Sequence, residues 1–287
     1  MAIDPHTHSR HSDGTMTPRQ IVGAARATGL DVVGLTDHDS TAGWDEAADA
    51  ASAAGIGFLP GVEISCARDG ISIHLLGYLM DPADPGLVRE FDRTRSDRDG
   101  RARRIVERLG PDTGLTWEEV VAHTPAGATI GRPHIADALV ARGVVPDRSA
   151  AFEDLLRTGG RYYVSHYAPD PVDAVRLVKA AGGVSVMAHP LAAARGRVVD
   201  ESVIEEMAAA GLCGLEVDHR DHSPEQRAHA AAIAEGLGLV RTGSSDFHGA
   251  GKPNQLGEYT TSSDALAALV GQANDPGAHS VGLERWL

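Results

Sequence analysis

The chain is short of cysteine, of aromatic residues and of positive charge, and it has no long apolar run. Its two cysteines, Cys66 and Cys213, are too few for a disulfide framework, and each lies in an apolar segment that reads as a buried thiol without chemistry. No stretch of eighteen apolar residues occurs, so no helical membrane span is expected. The first residues also lack the basic-then-apolar order of a signal peptide. A cytoplasmic protein with no membrane association and no obligate protein partner is the expectation. With 26 Lys and Arg against 40 Asp and Glu, the formal net charge of −14 argues against broad electrostatic binding of nucleic acid. There are no repeats and no low-complexity linkers, and 287 residues suffice for one barrel-sized domain or two ordinary ones.

Against these shortages stands an abundance of histidine, fourteen in all. The opening segment Ile3-Asp4-Pro5-His6-Thr7-His8 reads as a strand whose two-residue period places His6 and His8 on one face at its C-terminal end. Two imidazoles on one face are half a metal site. The other half must come from elsewhere in the chain.

Thr17-Pro18 opens a helix that Gly29 closes, Asp31 to Thr36 reads as a buried strand, and Thr41 to Ala54 as an alanine-rich helix. Strands at Phe58 to Ile64 and Ile71 to Tyr78 complete a β-α-β-α-β alternation, which predicts a parallel sheet or a (β/α) barrel. Active sites in such folds are built at the C-terminal rim of the strands. From Asp81 to Tyr163 helices take over, at Pro85 to Leu109, Thr116 to His123, Arg132 to Arg142 and Ser149 to Thr158. The first carries arginine at 89, 93, 95, 98, 101, 103, 104 and 108, which reads mostly as a solvated face. Alternation then resumes, with helices over 171–181, 201–210, 223–237 and 263–273 and strands over 183–189, 212–217 and 239–242. The predicted organisation is an α/β barrel formed by residues 1–80 and 166–287, with an inserted, mainly helical subdomain over 81–165.

The polar residues at predicted strand ends are His6, His8, Asp13, His38, Glu63, His74, His189, Asp246 and His248. Neutral imidazole with carboxylate is a ligand set for Zn²⁺, Mn²⁺ or Fe²⁺. Asp4, Asp37 and Asp39 stand close enough in sequence to orient such imidazoles by accepting their free N–H.

These residues sit in motifs that resemble one family. Asp4-Pro-His6-Thr-His8-Ser with Ser12-Asp13-Gly14, Leu35-Thr-Asp37-His38-Asp39, Gly61-Val-Glu63-Ile-Ser65, His74-Leu-Leu-Gly77, Ala188-His189-Pro190 and Gly243-Ser-Ser-Asp246-Phe-His248-Gly are similar, in order and across essentially the whole chain, to the PHP (polymerase and histidinol phosphatase) family. The resemblance implies a distorted (β/α)7 TIM-like barrel, a cluster of two or three divalent metal ions, and phosphoester hydrolysis. One metal would be held by His6, His8, Glu63 and Asp246, a second by Glu63, His74 and His189, and a third by Asp13, His38 and His248. The chain departs from the family pattern at Pro5, where leucine is common, and at Ser244, where glycine is common; neither change removes a ligand.

Within the family, Gly131-Arg132-Pro133-His134, Arg101-x-Arg103-Arg104-Ile, Gly159-Gly-Arg161-Tyr-Tyr-Val164 and Ala181-Gly-Gly-Val184 look like the subgroup that removes the 3′-phosphate of nucleoside 3′,5′-bisphosphates, some relatives of which trim short RNA 5′→3′. The implied substrate is a small phosphorylated molecule, a nucleotide or short RNA. A second phosphate needs its own cation, and Arg132 at a helix start offers a two-pronged donor beside free backbone N–H groups. Arg132 and His134 are therefore expected substrate contacts, and His11, close in sequence to the candidate ligands, is expected either to contact product phosphate or to donate to a ligand carboxylate. His123, His166, His219, His222, His229 and His279 read as surface histidines. The expected chemistry is in-line attack on phosphorus by a metal-bridging hydroxide held through His6, His8, Glu63, His189 and Asp246. An amidohydrolase-type deaminase shares the opening His-x-His, but the Asp246-Phe-His248 pair and a bridging Glu63 favour the phosphoesterase. A non-catalytic metal-binding module is disfavoured because every ligand position is filled.

Overall fold

A computed structural model of the chain describes residues 1–275, 277 and 279–286. Seven strands form one sheet in sequential order: β1 (Ile3–Asp4), β2 (Val32–Leu35), β3 (Gly57–Arg68), β4 (Ile71–Tyr78), β5 (Val184–Met187), β6 (Gly214–Asp218) and β7 (Val240–Gly243). Beyond the ends of β1 and β7 the chain pairs Thr7 with Phe247, the His8 N–H donating to the Phe247 carbonyl at 2.8 Å, which brings the sheet's first and last strands together. The expected barrel is present.

Its strands are not all parallel. β4 runs antiparallel to both β3 and β5. Asp69 and Gly70, both with left-handed φ (53° and 73°), form a two-residue connection that makes a hairpin, and two residues are too few for the crossover that a parallel neighbour needs. β3 consequently extends to Arg68, past the predicted end at Ile64. β1 is shorter than predicted, because Pro5 has no N–H to give to a ladder.

Helices α1 (Pro18–Ala27), α2 (Trp44–Ala54), α7 (Pro171–Ala180), α8 (Glu201–Ala210) and α9 (Pro224–Leu237) cover the outside of the sheet, their apolar faces meeting Val33, Phe58, Leu75, Met187 and Leu215. The alternate strand residues Val32, Leu59, Leu76, Tyr78, Val184 and Val186 face inward and are closed off by Leu266, Leu269 and Val270 of α10 (Ser263–Val270). Because side chains alternate, Glu63 lies on the inward face with Leu59, and His74 with Leu76. One end of the interior is thus apolar and the other polar.

Between β4 and α7 lie α3 (Pro85–Thr113), α4 (Trp117–Ala122), α5 (Arg132–Ala141) and α6 (Arg148–Glu153). Leu87 and Phe91 of α3 belong to the barrel's core, whereas Ile105, Val106 and Leu109 join Val120, Ile135 and Leu139 in a separate apolar cluster. α3 therefore spans both. No helix among the described residues is long and apolar enough to cross a membrane.

Candidate metal centre

All nine predicted ligands come together at the polar end of the barrel. His6 and His8 follow β1 on a segment that Asp37 holds by accepting from the Ser9 N–H (2.8 Å), the Ser9 hydroxyl (2.6 Å) and the Ser12 hydroxyl (2.6 Å). Asp13 reaches back because the next residue is glycine: a Cβ on Gly14 would lie 2.1 Å from the His8 carbonyl oxygen. His189 and Asp246 follow β5 and β7 with positive φ (29° and 52°), conformations that turn the side chain off the strand line and that non-glycine residues adopt mainly where the surroundings impose them.

Glu63 is the centre of the group, with both oxygens engaged. Its Oε2 lies 2.9 Å from His8 Nε2, 3.4 Å from His6 Nε2 and 3.3 Å from His38 Nδ1. Its Oε1 lies 2.6 Å from His74 Nδ1 and 3.3 Å from His189 Nε2. Asp246 Oδ1 stands 3.4 Å from both His6 Nε2 and His8 Nε2, and Asp13 Oδ1 stands 3.2 Å from His248 Nε2. The ligand atoms of His6, His8, Glu63 and Asp246 lie within 4.8 Å of one another, as do those of His8, Asp13, His38 and His248 and those of His38, Glu63 and His74. The grouping differs in detail from the expected one, since His8 and His38 each belong to two sets.

This donor set fits divalent cations. The buried ring nitrogens His38 Nδ1, His74 Nδ1 and His248 Nε2 approach carboxylate oxygens yet make no hydrogen bond. Nitrogens and oxygens that crowd together without hydrogen-bond alignment are aimed at a shared point, which is where an ion sits. Charge agrees with this. Burial opposes ionisation of Glu63, but His74, His38 and His6 hold its carboxyl well below the usual range; Asp246 is held down likewise, by Lys252 and Arg195. Burial also opposes protonation of His8, which hydrogen bonds to Asp246 and Glu63 nevertheless raise to about 9; a cation held by these carboxylates would displace that proton, since a ligating imidazole must be neutral. His189 falls to about 3 through burial and Arg195, and His248 to about 4 through burial and Lys252, so both keep a lone pair at neutral pH.

Several residues of the site carried no sequence expectation. Glu216 on β6 is fully buried; it accepts from His6 Nδ1 (3.1 Å), the His189 N–H (2.7 Å) and the Ser244 hydroxyl, and so fixes His6 with Nε2 toward the cluster. Its signal was a lone carboxylate between Leu215 and Val217 in a buried strand. Arg195 and Lys252 both reach Asp246 Oδ2, at 2.5 and 3.0 Å, leaving Oδ1 to face the imidazoles. The orienting role expected of Asp4, Asp37 and Asp39 belongs to Glu216 instead. Those three accept from loop groups: Asp4 from the N–H groups of Ser245 and Gly257, Asp39 from the Ser65 N–H.

Two histidines expected at the surface are buried. His219 accepts the Asp221 N–H on Nδ1, so its Nε2 carries the proton and stands 3.7 Å from Asp246 Oδ2. His222 accepts the Leu191 N–H on Nε2 and donates from Nδ1 to the Val217 carbonyl, which ties the loops after β5 and β6 together. His166 is half-buried, while His123, His229 and His279 are exposed.

The expected substrate contacts divide. His134 is buried and its Nδ1 accepts the Gly131 N–H at 3.1 Å, the cap of α5. His11 packs its ring over Gly43, and no hydrogen bond or ion pair among the described residues links that ring to the cluster. Arg132 extends beside α3, donating to the Leu156 carbonyl (3.0 Å) and the Thr158 hydroxyl (3.1 Å).

Known proteins share this arrangement of chain. The family profile described as "PHP domain" matches residues 4–108. A 3′,5′-nucleoside bisphosphate phosphatase from Chromobacterium violaceum is 38% identical over 87% of this chain and 88% of its own. A 5′-3′ exoribonuclease from Haemophilus influenzae is 33% identical over 85% and 89%. Among solved structures, a candidate metal-dependent phosphoesterase from Bifidobacterium adolescentis matches with a TM-score of 0.93 at 43% identity, covering 95% of this chain and 96% of that one. With relatives of this identity aligned over most of both chains, and with the PHP motifs gathered at one end of the barrel, the protein belongs to the PHP domain family.

Proposed function

We propose that the protein is a metal-dependent phosphoesterase that removes the 3′-phosphate of nucleoside 3′,5′-bisphosphates. The observation that carries the reading is Glu63, buried among five imidazoles with each oxygen facing a different set, as a carboxylate shared between two cations must be. His6, His8, Glu63 and Asp246 are assigned to one ion, Glu63, His74 and His189 to a second, and Asp13, His38 and His248 to a third; Mn²⁺, Zn²⁺ and Fe²⁺ all suit this set. Bound there, divalent ions supply Lewis acidity, lowering the pKa of water and neutralising phosphoryl oxygens.

The chain's own groups do the rest. Glu216 holds the His6 tautomer, and Asp37 fixes the loop that carries His8 and Asp13. Arg195 and Lys252 place two cations beside Asp246, where an incoming phosphoryl group finds donors as well as ions. His219 offers a buried Nε2–H at the same edge. We assign residues 81–165 to an inserted helical lobe that forms the substrate side of the cleft. The named relatives favour this reading: one acts on nucleoside 3′,5′-bisphosphates and another is a 5′-3′ exoribonuclease. The second supports the alternative of short RNA as substrate.

The test is inorganic phosphate release from adenosine 3′,5′-bisphosphate, adenosine 5′-monophosphate and histidinol phosphate by Mn²⁺-loaded protein. Strong preference for the bisphosphate is expected. Equal, weak release from all three would discard the bisphosphate assignment and direct the assay to 5′-phosphorylated oligoribonucleotides.

A further inference from the structure

Arg148 opens α6 on the lobe side, and every nitrogen of its guanidinium is committed. Nε and Nη2 form a fork on the two oxygens of Asp137 in α5, at 2.5 and 2.6 Å. Nη1 leaves the lobe and donates to the Asp13 carbonyl at 3.1 Å. The same nitrogen lies against the turn that follows His248. A Cβ added to Gly251 would stand 2.3 Å from it, and the three nearest neighbours of that Cβ are all guanidinium atoms of Arg148. His134 of α5 is buried against the Ser12 backbone, so the lobe touches the Asp13 loop at two adjoining residues.

Asp13 and His248 are two of the ligands assigned to the third ion, with Asp13 Oδ1 3.2 Å from His248 Nε2. Their loops meet where the Thr15 N–H donates to the His248 carbonyl (3.1 Å) and the Ala250 N–H to the Thr15 hydroxyl (2.9 Å). Arg148 reaches both loops from outside the barrel. Coulomb's law gives no reason for a guanidinium behind a carboxylate that holds a cation, because its charge opposes the ion. Asp137 offsets that charge, and what remains is geometry. A planar fork fixed by a carboxylate has its remaining N–H aimed, and at 16% exposure the side chain is largely withdrawn from water.

We propose that Arg148, locked by Asp137, is a positioning residue: from the helical lobe it holds the Asp13 loop and the turn after His248 at the spacing the third ion requires. The inference rests on the proposed three-ion reading and ties one ion site to the lobe that forms the substrate side of the cleft.

The test is Mn²⁺ binding, by elemental analysis and chelator competition, in wild type, Arg148→Met, Gly251→Ala and Asp13→Asn. The ion weakened or lost in Asp13→Asn is the third. Its affinity is expected to fall by about 10- to 100-fold in Arg148→Met, with the other two sites unchanged. Removing a positive charge would by itself tighten a cation, so the sign of the change separates positioning from charge. Arg148→Lys keeps the charge without the fork, and its third-ion affinity is expected to stay below wild type. In Gly251→Ala the collision is with the end of a flexible side chain, so Arg148 moves at little cost to the fold and the same ion should weaken. Combined with Arg148→Met, this substitution should add nothing further. Unchanged or tighter binding of the third ion in Arg148→Met overturns the proposal, and Gly251→Ala decides in the same way should the methionine variant fold poorly. If Asp13→Asn binds Mn²⁺ as wild type does, the three-ion reading fails instead, and hydrogen exchange of the metal-free proteins decides. Faster exchange over residues 9–15 and 248–251 in Arg148→Met then upholds the hold on the two loops, and equal exchange overturns it.

Discussion

The barrel rim and the helical lobe hold charge in opposite ways. At the rim, five imidazoles surround one carboxylate and three further carboxylates stand within 4 Å of ring nitrogens, so that nitrogen and carboxylate donors alternate around points suited to cations. In the lobe, the guanidinium groups of Arg101 and Arg132 rest on backbone carbonyls and aromatic rings and pair with no carboxylate among the described residues, and the nearby Asp97 is engaged elsewhere. The rim needs positive ions to be complete, and the lobe a negative one. A phosphorylated substrate joined to both would complete the lobe directly and the rim through its metals.

The sharpest way to break this contrast is at Glu63. Glu63→Gln keeps the shape but removes the negative charge that the imidazoles share. Turnover should fall by about three orders of magnitude and bound metal should drop in elemental analysis. His189→Ala and Asp246→Asn should follow it. Full activity with full metal content in any of the three would discard the ligand assignment at that residue.

These candidate ligands were legible because each lies in a short local pattern: His-x-His after a strand, Asp-Phe-His after another, glycine where backbones meet. Side-chain alternation then places them without knowledge of the whole chain. The antiparallel β4 was legible in principle too, since Asp69-Gly70 is a hairpin turn, but the regular alternation of strands and helices around it reads as parallel. Glu216, Arg195, Lys252 and His219 were not legible. Glu216, Arg195 and His219 each act through a partner at least 27 residues away in sequence, Lys252 reaches back six residues to Asp246 from a loop with no pattern of its own, and nothing in Gly-Leu-Glu-Val or Asp-His-Arg marks a catalytic neighbourhood. The arginine run of α3 is solvated at 89, 93, 103, 104 and 108, as its abundance suggests; the i, i+3 subset at 95, 98 and 101 turns inward, and no local pattern sets it apart.

A substitution in the lobe's own core separates the two regions energetically. Leu109 is fully buried in the cluster built from α3, α4 and α5. Leu109→Ala should cost about 2–5 kcal/mol of stability in denaturant unfolding, with metal stoichiometry unchanged. Loss of metal in this variant would show that the rim depends on lobe packing.

Glu216→Gln probes the rim one layer out. Replacing the carboxylate that accepts from His6 Nδ1 weakens its hold on that ring without removing a proposed ligand. Metal affinity should fall by about 10- to 100-fold, measured by competition with a chelator. An affinity equal to wild type would mean that packing alone orients His6.

The smallest effect reads the lobe's excess charge directly. His166 titrates at about 3 because burial and then Arg101, Arg98 and Arg132 disfavour its charged form, with Asp97 acting the other way. The folded value lies below the ordinary 6.5, so between these two values the folded protein binds fewer protons than the unfolded chain. Its stabilising contribution is therefore present above pH 6.5 and is lost as pH falls through that window. Arg132→Met removes one of the three cations, so the His166 pKa should rise, and the drop in Tm between pH 7 and pH 5 should be smaller than in wild type. Histidine NMR titration of metal-free protein in phosphate-free buffer follows the ring itself. Added phosphate should raise the same pKa in wild type, because an anion among the guanidinium groups favours the imidazolium. A His166 signal indifferent to both the substitution and the anion would mean that the three arginines do not share one field, and the contrast between rim and lobe would reduce to the rim alone.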